Sequence, residues 1–218
     1  MASLLENLFR SRGHFGDHQS KTNKEMAPYI YGAFQGFTII DLEKTVPLLL
    51  LALNAVSEVV SKGGLVLFVG VSDRALEDRL KTVGCPYTTQ RWIAGTLTNF
   101  GQVVQSIERL NQIRIANGGV IPMSHQRMLR GVMEAYVSLA PLVRLPEIII
   151  SLRPNMSKIA LAEAKRLQIP TVGVMDTSSA ATSVEFPIPS NGAYERLLAL
   201  YGQLFVDVVV NDAAPSRF

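Results

Sequence analysis

The amino-acid sequence predicts an α/β fold in which a doubly wound, mostly parallel sheet carries helices on both faces. Three observations predict it. Short β-rich runs alternate with helical stretches along most of the chain, the rhythm of parallel βαβ units. The runs Leu65–Val71, Glu147–Leu152 and Ile169–Met175 are rich in Val, Ile and Leu, as strands buried on both faces must be. The chain has 218 residues, 48% of them hydrophobic and 18% charged, which suits one large domain with a sizeable core and argues against disorder. Such an order of elements belongs to the Rossmann-like and flavodoxin-like architectures.

Each element has its own signal. Gln35–Asp41 reads as a first strand. Thr45 reads as the N-cap of a helix with Pro47 in its first turn, running to about Lys62 and stopping at Gly63-Gly64. The strand Leu65–Val71 follows, then a helix capped by Ser72 or Asp73 that ends near Gly84. Tyr87–Thr89 is a short strand. A helix opens at Thr96 or Thr98 and reaches about Ala116, with Val103, Ile107, Leu110 and Ile113 at helical spacing. Asn117-Gly118-Gly119 ends it, and a second helix covers roughly His125–Ala140. Pro146 introduces the strand Glu147–Leu152. Ser157–Leu167 is helical, Ile169–Met175 is a strand, and Asn191–Val206 is the closing helix. No internal repeat or linker interrupts the series, so residues 1–218 are expected to form a single domain.

Charge is modest overall and uneven. The net charge is +3 and the pI about 9.1, weaker than a free nucleic-acid-binding domain normally shows. The excess lies in residues 91–130, where Arg91, Arg109, Arg114, Arg127 and Arg130 face Glu108 alone. A single positive sector suits docking one face onto phosphate, although a solvated helix face would look the same. The lone cysteine, Cys85, excludes an internal disulfide and fits a reducing compartment. No uninterrupted apolar run reaches the roughly 18 residues of a membrane span; the longest, Val46–Val56, contains Pro47 and Asn54. The N-terminus, with two arginines but also Glu6, does not read as a secretory signal and is at most a vestigial mitochondrial presequence.

Doubly wound folds bind ligands at the C-terminal ends of their strands, so an enzyme is the first rival reading. Gly70-Val71-Ser72-Asp73-Arg74-Ala75 matches neither a dinucleotide fingerprint nor a P-loop, and Asp73 puts negative charge where a phosphate would sit. Asp176, ahead of Thr177-Ser178-Ser179, either holds a metal or ribose or caps a turn, and no second acid or base stands near it in sequence. His14 and His18 make half a metal site, but Gly13 and Gly16 oppose a regular helix and a third ligand is lacking. His125 stands alone. These readings point away from catalysis, cofactor, metal, small-molecule substrate and membrane. A nucleotide- or metabolite-binding enzyme is kept as the alternative, on the parallel sheet and Asp176.

Several blocks carry a resemblance. His14-Phe15-Gly16-Asp17-His18-Gln19 is followed by Met26-Ala27-Pro28-Tyr29-Ile30-Tyr31-Gly32; then come Ile39–Leu49 (IIDLEKTVPLL) and Arg91–Phe100 (RWIAGTLTNF). Gly64–Gly70, Ala162–Thr177 and Phe186–Pro189 complete the set. Taken in their order along the chain, they resemble the S2 family of small-subunit ribosomal proteins, bacterial or organellar type, over most of residues 4–204. The resemblance implies a non-catalytic scaffold near the junction of head and body, in contact with small-subunit ribosomal RNA and other small-subunit ribosomal proteins.

Residue chemistry suits that role. The expected RNA-binding residues are Arg12, His14, His18, Lys21 and Lys24 in an N-terminal segment (1–34), and Arg91, Trp92, Thr96 and Asn99 further on. Lysines in a polar loop reach phosphates, and Arg91 beside Trp92 offers a cation and an aromatic face, with a core role the other reading for the tryptophan. Gly95, Thr96, Thr98 and Asn99 look like a phosphate seat at a helix start. The family pattern is also departed from. Ser20–Glu25 is less basic, Val71–Arg74, Leu152–Met156 and Ser178–Ser183 replace more charged segments, and the helical arm over residues 111–145 looks shortened. Fewer basic anchors and a mean hydropathy of +0.21 lead to the expectation of a mitochondrial ribosome in the matrix, with plastid or bacterial cytoplasm as alternatives.

Overall fold

The computed structural model describes residues 2–89, 92–116 and 138–212. It opens with helix α1 (Ala2–Arg10), whose Leu8 is sealed in the main core. Three short strands, β1 (Phe15–His18), β2 (Ile30–Phe34) and β3 (Phe37–Ile40), form an antiparallel sheet in the order β1-β3-β2. This corrects the expected first strand at Gln35–Asp41 in two ways. Gln35 and Gly36 have φ of 49° and 83°, so they form the hairpin turn rather than a strand. Phe37–Ile40 then pairs backwards with its neighbours and never joins the parallel sheet.

Helix α2 (Leu42–Ser61) starts earlier than Thr45. Asp41 is its cap, with Oδ1 accepting from the Glu43 amide at 3.1 Å. Thr45 is fully buried, and its hydroxyl reaches both Asp41 O and Pro189 O (2.7 Å), so Pro47 lies inside the helix instead of in its first turn. Taken by length and composition, α2 is apolar enough to cross a membrane. Its stripe Leu42, Val46, Leu49, Ala52, Val56 and Val60 is packed into the main core, which makes it the central helix of the fold.

The remaining elements are β4 (Val66–Val69), α3 (Arg74–Val83), β5 (Tyr87–Thr88), α4 (Phe100–Ala116), β6 (Ile148–Ser151), α5 (Lys158–Arg166), β7 (Thr171–Met175), β8 (Phe186–Pro189) and α6 (Glu195–Asp212). Asp73 caps α3, accepting from the Leu76 amide at 2.9 Å, and the helix ends at Gly84. The helix expected from Thr96 or Thr98 begins only at Phe100, and the closing helix runs from Glu195 to Asp212. Strand β8 was not anticipated, because its sequence is Phe-Pro-Ile-Pro. Proline removes ladder donors and is tolerated at a sheet edge, where β8 sits. The helix expected at His125–Ala140 and most of the arm over 111–145 fall outside the described residues.

Strands β4 to β8 form one parallel sheet in the order β5-β4-β6-β7-β8. This is the flavodoxin-like order, and the α/β expectation holds. Right-handed crossovers dictate the layers. The β4-to-β5 connection runs one way along the sheet and puts α3 on one face with α2 and α6; the later connections run the other way and put α4 and α5 opposite. Val66, Phe68, Ile148, Ile150, Val172, Val174 and Ile188 feed the first core, while Leu67, Val69 and Ile149 feed the second.

One crossover is incomplete. The β7–β8 connection carries only a single 3₁₀ turn, Ala181–Ser183. The space is filled from the N-terminus instead. Met26, on the 3₁₀ segment Lys24–Tyr29, is fully buried among Leu161, Met175, Ala181 and Val184.

Candidate nucleic-acid interface

The N-terminal segment crosses the C-terminal end of the parallel sheet as a strap. Gly13 O accepts the Asn191 amide (3.1 Å), and the buried Tyr201 hydroxyl donates to Ser190 Oγ nearby (2.9 Å). Gly16 lies so close to Thr177 that a Cβ there would overlap the threonine methyl. The Asp17 amide donates to Thr177 Oγ1 and the Asn23 amide to Thr177 O, both at 2.8 Å. Glu25 accepts from the Thr182 amide (3.1 Å) and hydroxyl (2.8 Å), which hold its carboxyl below the usual range. These bonds span about the whole chain length, and together with Met26 they fix the strap's path.

Fixing the path determines what the strap exposes. Arg12, Lys21 and Lys24 are all exposed, and among the described residues none is in an ion pair. His18 is also exposed, with Nδ1 2.9 Å from Ser20 Oγ and its ring edge-on to Phe37. His14 behaves differently. It stacks on Phe9 at 4.4 Å and against Phe15 at 4.2 Å, and burial lowers its pKa, disfavouring the charged imidazolium. The two histidines do not converge, and among the described residues no group of three His, Cys, Asp or Glu side chains could hold a metal ion.

The second expected element is the loop ahead of α4. Arg91 lies outside the described residues. Trp92 is half-buried against the second core, and its indole N–H donates to Glu163 Oε1 at 3.1 Å. The same oxygen accepts the Gly95 amide at 2.7 Å, while Oε2 accepts the amides of Leu97 (2.9 Å) and Thr98 (3.3 Å). The amides that resembled a phosphate seat are therefore already filled by a carboxylate from α5. Thr96 is buried, and its hydroxyl closes the turn onto Ile93 O at 2.6 Å. Asn99 is exposed at the loop's end. Burial pushes the Glu163 carboxyl up, but the four donors outweigh it and hold the group below the usual carboxylate range.

Glu163 escaped the sequence reading, yet it left a signal. It shares the buried side of α5 with Ala160 and Ala164, and an acid on a buried helical face demands partners. The ligand crevice of the doubly wound sheet is also accounted for. At the switch point between β4 and β6, Arg153 spans from Ser72 Oγ (3.2 Å) to Glu195 (3.0 Å). Asp176 spends Oδ1 on the Thr177 amide (2.7 Å); burial, then the neighbouring Asp17, raises its pKa. It caps a turn, the structural one of its two sequence readings. The arrangement offers fixed cations and hydrogen-bond donors, which bind anions.

The comparisons with known proteins agree with this geometry. The family model described as Ribosomal protein S2 matches residues 8–211. The chain is similar to the small ribosomal subunit protein uS2 of Dichelobacter nodosus, 35% identical over 97% of this chain and 84% of the relative. It is also similar to the uS2 of Rhodospirillum centenum, at 34% identity over 95% of this chain and 84% of the relative. The uS2 of Francisella tularensis subsp. novicida is 33% identical over 99% of this chain and 95% of the relative. With the fold, the ordered sequence blocks and the family model in agreement along nearly the whole chain, this protein belongs to the ribosomal protein S2 family, whose members are structural rather than enzymatic.

Proposed function

We propose that the chain is a structural constituent of the small subunit of a mitochondrial ribosome, gripping ribosomal RNA through its strap and the loop ahead of α4. The observation that carries the RNA contact is the set of exposed cations Arg12, Lys21 and Lys24, held on a backbone path fixed at both ends and in no ion pair among the described residues. Phosphate contacts of this kind position a protein without reading sequence. Residues 1–34 form the RNA-contacting segment, with His18 and the partly buried His14 beside the cations. Arg91, Trp92 and Asn99 supply the second contact; Thr96 shapes that loop from within. Other small-subunit ribosomal proteins take up the remaining surface, including the shortened arm over 111–145.

The mitochondrial assignment rests on the weakly basic Ser20–Glu25 and on the mean hydropathy of +0.21, which suit a particle where protein contacts replace some RNA contacts. Its relatives named above are bacterial. Both parts are tested together by expressing the tagged protein in its source cells, fractionating the organelles and sedimenting each lysate through sucrose. The expected result is co-migration with small-subunit particles from the mitochondrial fraction. Absence from every small-subunit fraction refutes the ribosomal role, and migration with cytoplasmic or plastid subunits refutes the mitochondrial one.

A further inference from the structure

Two clefts lie along the outer side of α5 and share Lys165 and Ser183. The larger, about 460 Å³, follows the end of α5 towards the 182–185 loop. The other, about 400 Å³, opens between the loops that follow β6 and β7, and Asn23 of the strap forms part of its wall. Lys158 and Lys165 are seven residues apart, so they stand on one helical face separated by about 10 Å of axial rise. Both are exposed, and among the described residues neither side chain makes an ion pair or a hydrogen bond.

The rest of the lining favours one class of ligand. Among the described residues the cleft beside Asn23 has no carboxylate in its wall, and Asn155 and Ser178 add polar groups there, joined by a 3.3 Å hydrogen bond. Acidic charge sits at the other cleft: Glu185 is in its wall, and Glu25 of the strap accepts from Thr182, also in that wall. Among the described residues no aromatic ring lines either cleft, so stacking of bases has no platform there. What remains is a pair of point charges with hydrogen-bonding neighbours, continuous with Lys24 next to Asn23.

We propose that this groove is a second track for the ribosomal RNA phosphate backbone, extending the strap's basic edge along α5. It rests on the RNA-binding reading above and adds the site to it. The test measures affinity of the full-length protein for a small-subunit ribosomal RNA transcript over a series of salt concentrations. Each lost phosphate contact lowers the log–log salt slope by about 0.7–0.9. The double variant Lys158→Gln/Lys165→Gln is expected to lower it by about 1.4–1.8, with circular dichroism unchanged. The control Lys62→Gln/Lys81→Gln, at lysines already paired to Glu58 and Asp78, is expected to leave it in place. An unchanged slope in the Lys158/Lys165 variant, with tight wild-type binding, overturns the groove and spares the RNA reading. If that variant keeps its slope yet falls out of particles in a gradient, the lysines serve a protein neighbour and the proposal is equally overturned. A wild type that binds no transcript removes the RNA reading and the groove with it.

Discussion

Four N–H groups converge on the carboxylate of Glu163, and the loop they come from has little other regular structure to hold it. Replacing it by glutamine keeps the shape but turns an amide donor towards one pair of these donors. Glu163→Gln is therefore expected to cost roughly 1–3 kcal/mol, the usual penalty for a buried donor left unmatched. Trp92 is the single tryptophan of the chain and one of the four donors, so its fluorescence reports on the loop directly. The variant should show a red-shifted, more quenchable emission, and unchanged emission would refute the caging role. The pH dependence has a definite sign. A carboxyl whose folded pKa is depressed contributes stability above its unfolded value near 4.5, and that contribution is lost as pH falls through the folded value. Wild-type Trp92 emission should change in that acid range, and Glu163→Gln should not follow it. Asp176 has the opposite sign: burial and the adjacent Asp17 raise its pKa, so its charge opposes folding as pH rises through the shifted value. Asp17→Asn should raise stability at pH 7 by about 0.5 kcal/mol, the scale of a surface change, with the gain vanishing by pH 3. Denaturant titrations at the two pH values check it.

The strap and the incomplete crossover depend on each other. Strand β7 returns to β8 through a single 3₁₀ turn, which leaves Met175, Ala181 and Val184 without a covering helix, and Met26 supplies the cover. Truncating a buried methionine to alanine costs about 2–5 kcal/mol. For Met26→Ala the loss should fall mainly on the strap, since its other anchors are hydrogen bonds at the sheet's edge. Limited proteolysis should then cut between residues 19 and 30 well below the global unfolding midpoint, whereas simultaneous loss of the whole fold would contradict this division. Of these elements, the buried strands β4, β6 and β7 were plain in the sequence, because three successive runs of Val, Ile and Leu have no other place to go. The start of α4 was misplaced by Thr96 and Thr98, which look like caps until Glu163 is seen taking the amides of Leu97 and Thr98. Strand β8 was hidden by its prolines, and the strand read at Gln35–Asp41 holds only over Phe37–Ile40 and in the side sheet.

Seen entire, the molecule carries a switch point bridged by Arg153 and an exposed basic edge. Arg153 spans the switch point, while Arg12, Lys21 and Lys24 project from the strap on the same C-terminal side of the sheet. The triple variant Arg12→Ala/Lys21→Ala/Lys24→Ala should keep its circular dichroism and thermal midpoint, because none of the three supports the fold through an ion pair among the described residues. In competition with wild type it should enter small-subunit particles several-fold less; equal incorporation would mean these cations are not anchors. The strands β4 to β7 with the helices between them, the two-faced core and the S2 family blocks were present in the sequence, since burial on one or both faces repeats with the period of the element that carries it. The strap's course, the antiparallel side sheet and the Glu163 cage were settled only in three dimensions. The cage and the strap's anchors on the sheet join residues 65 or more positions apart, and contacts over such separations leave no local period in the chain to read; the side sheet pairs strands near in sequence, and its partners follow from the hairpin turn at Gln35 and Gly36.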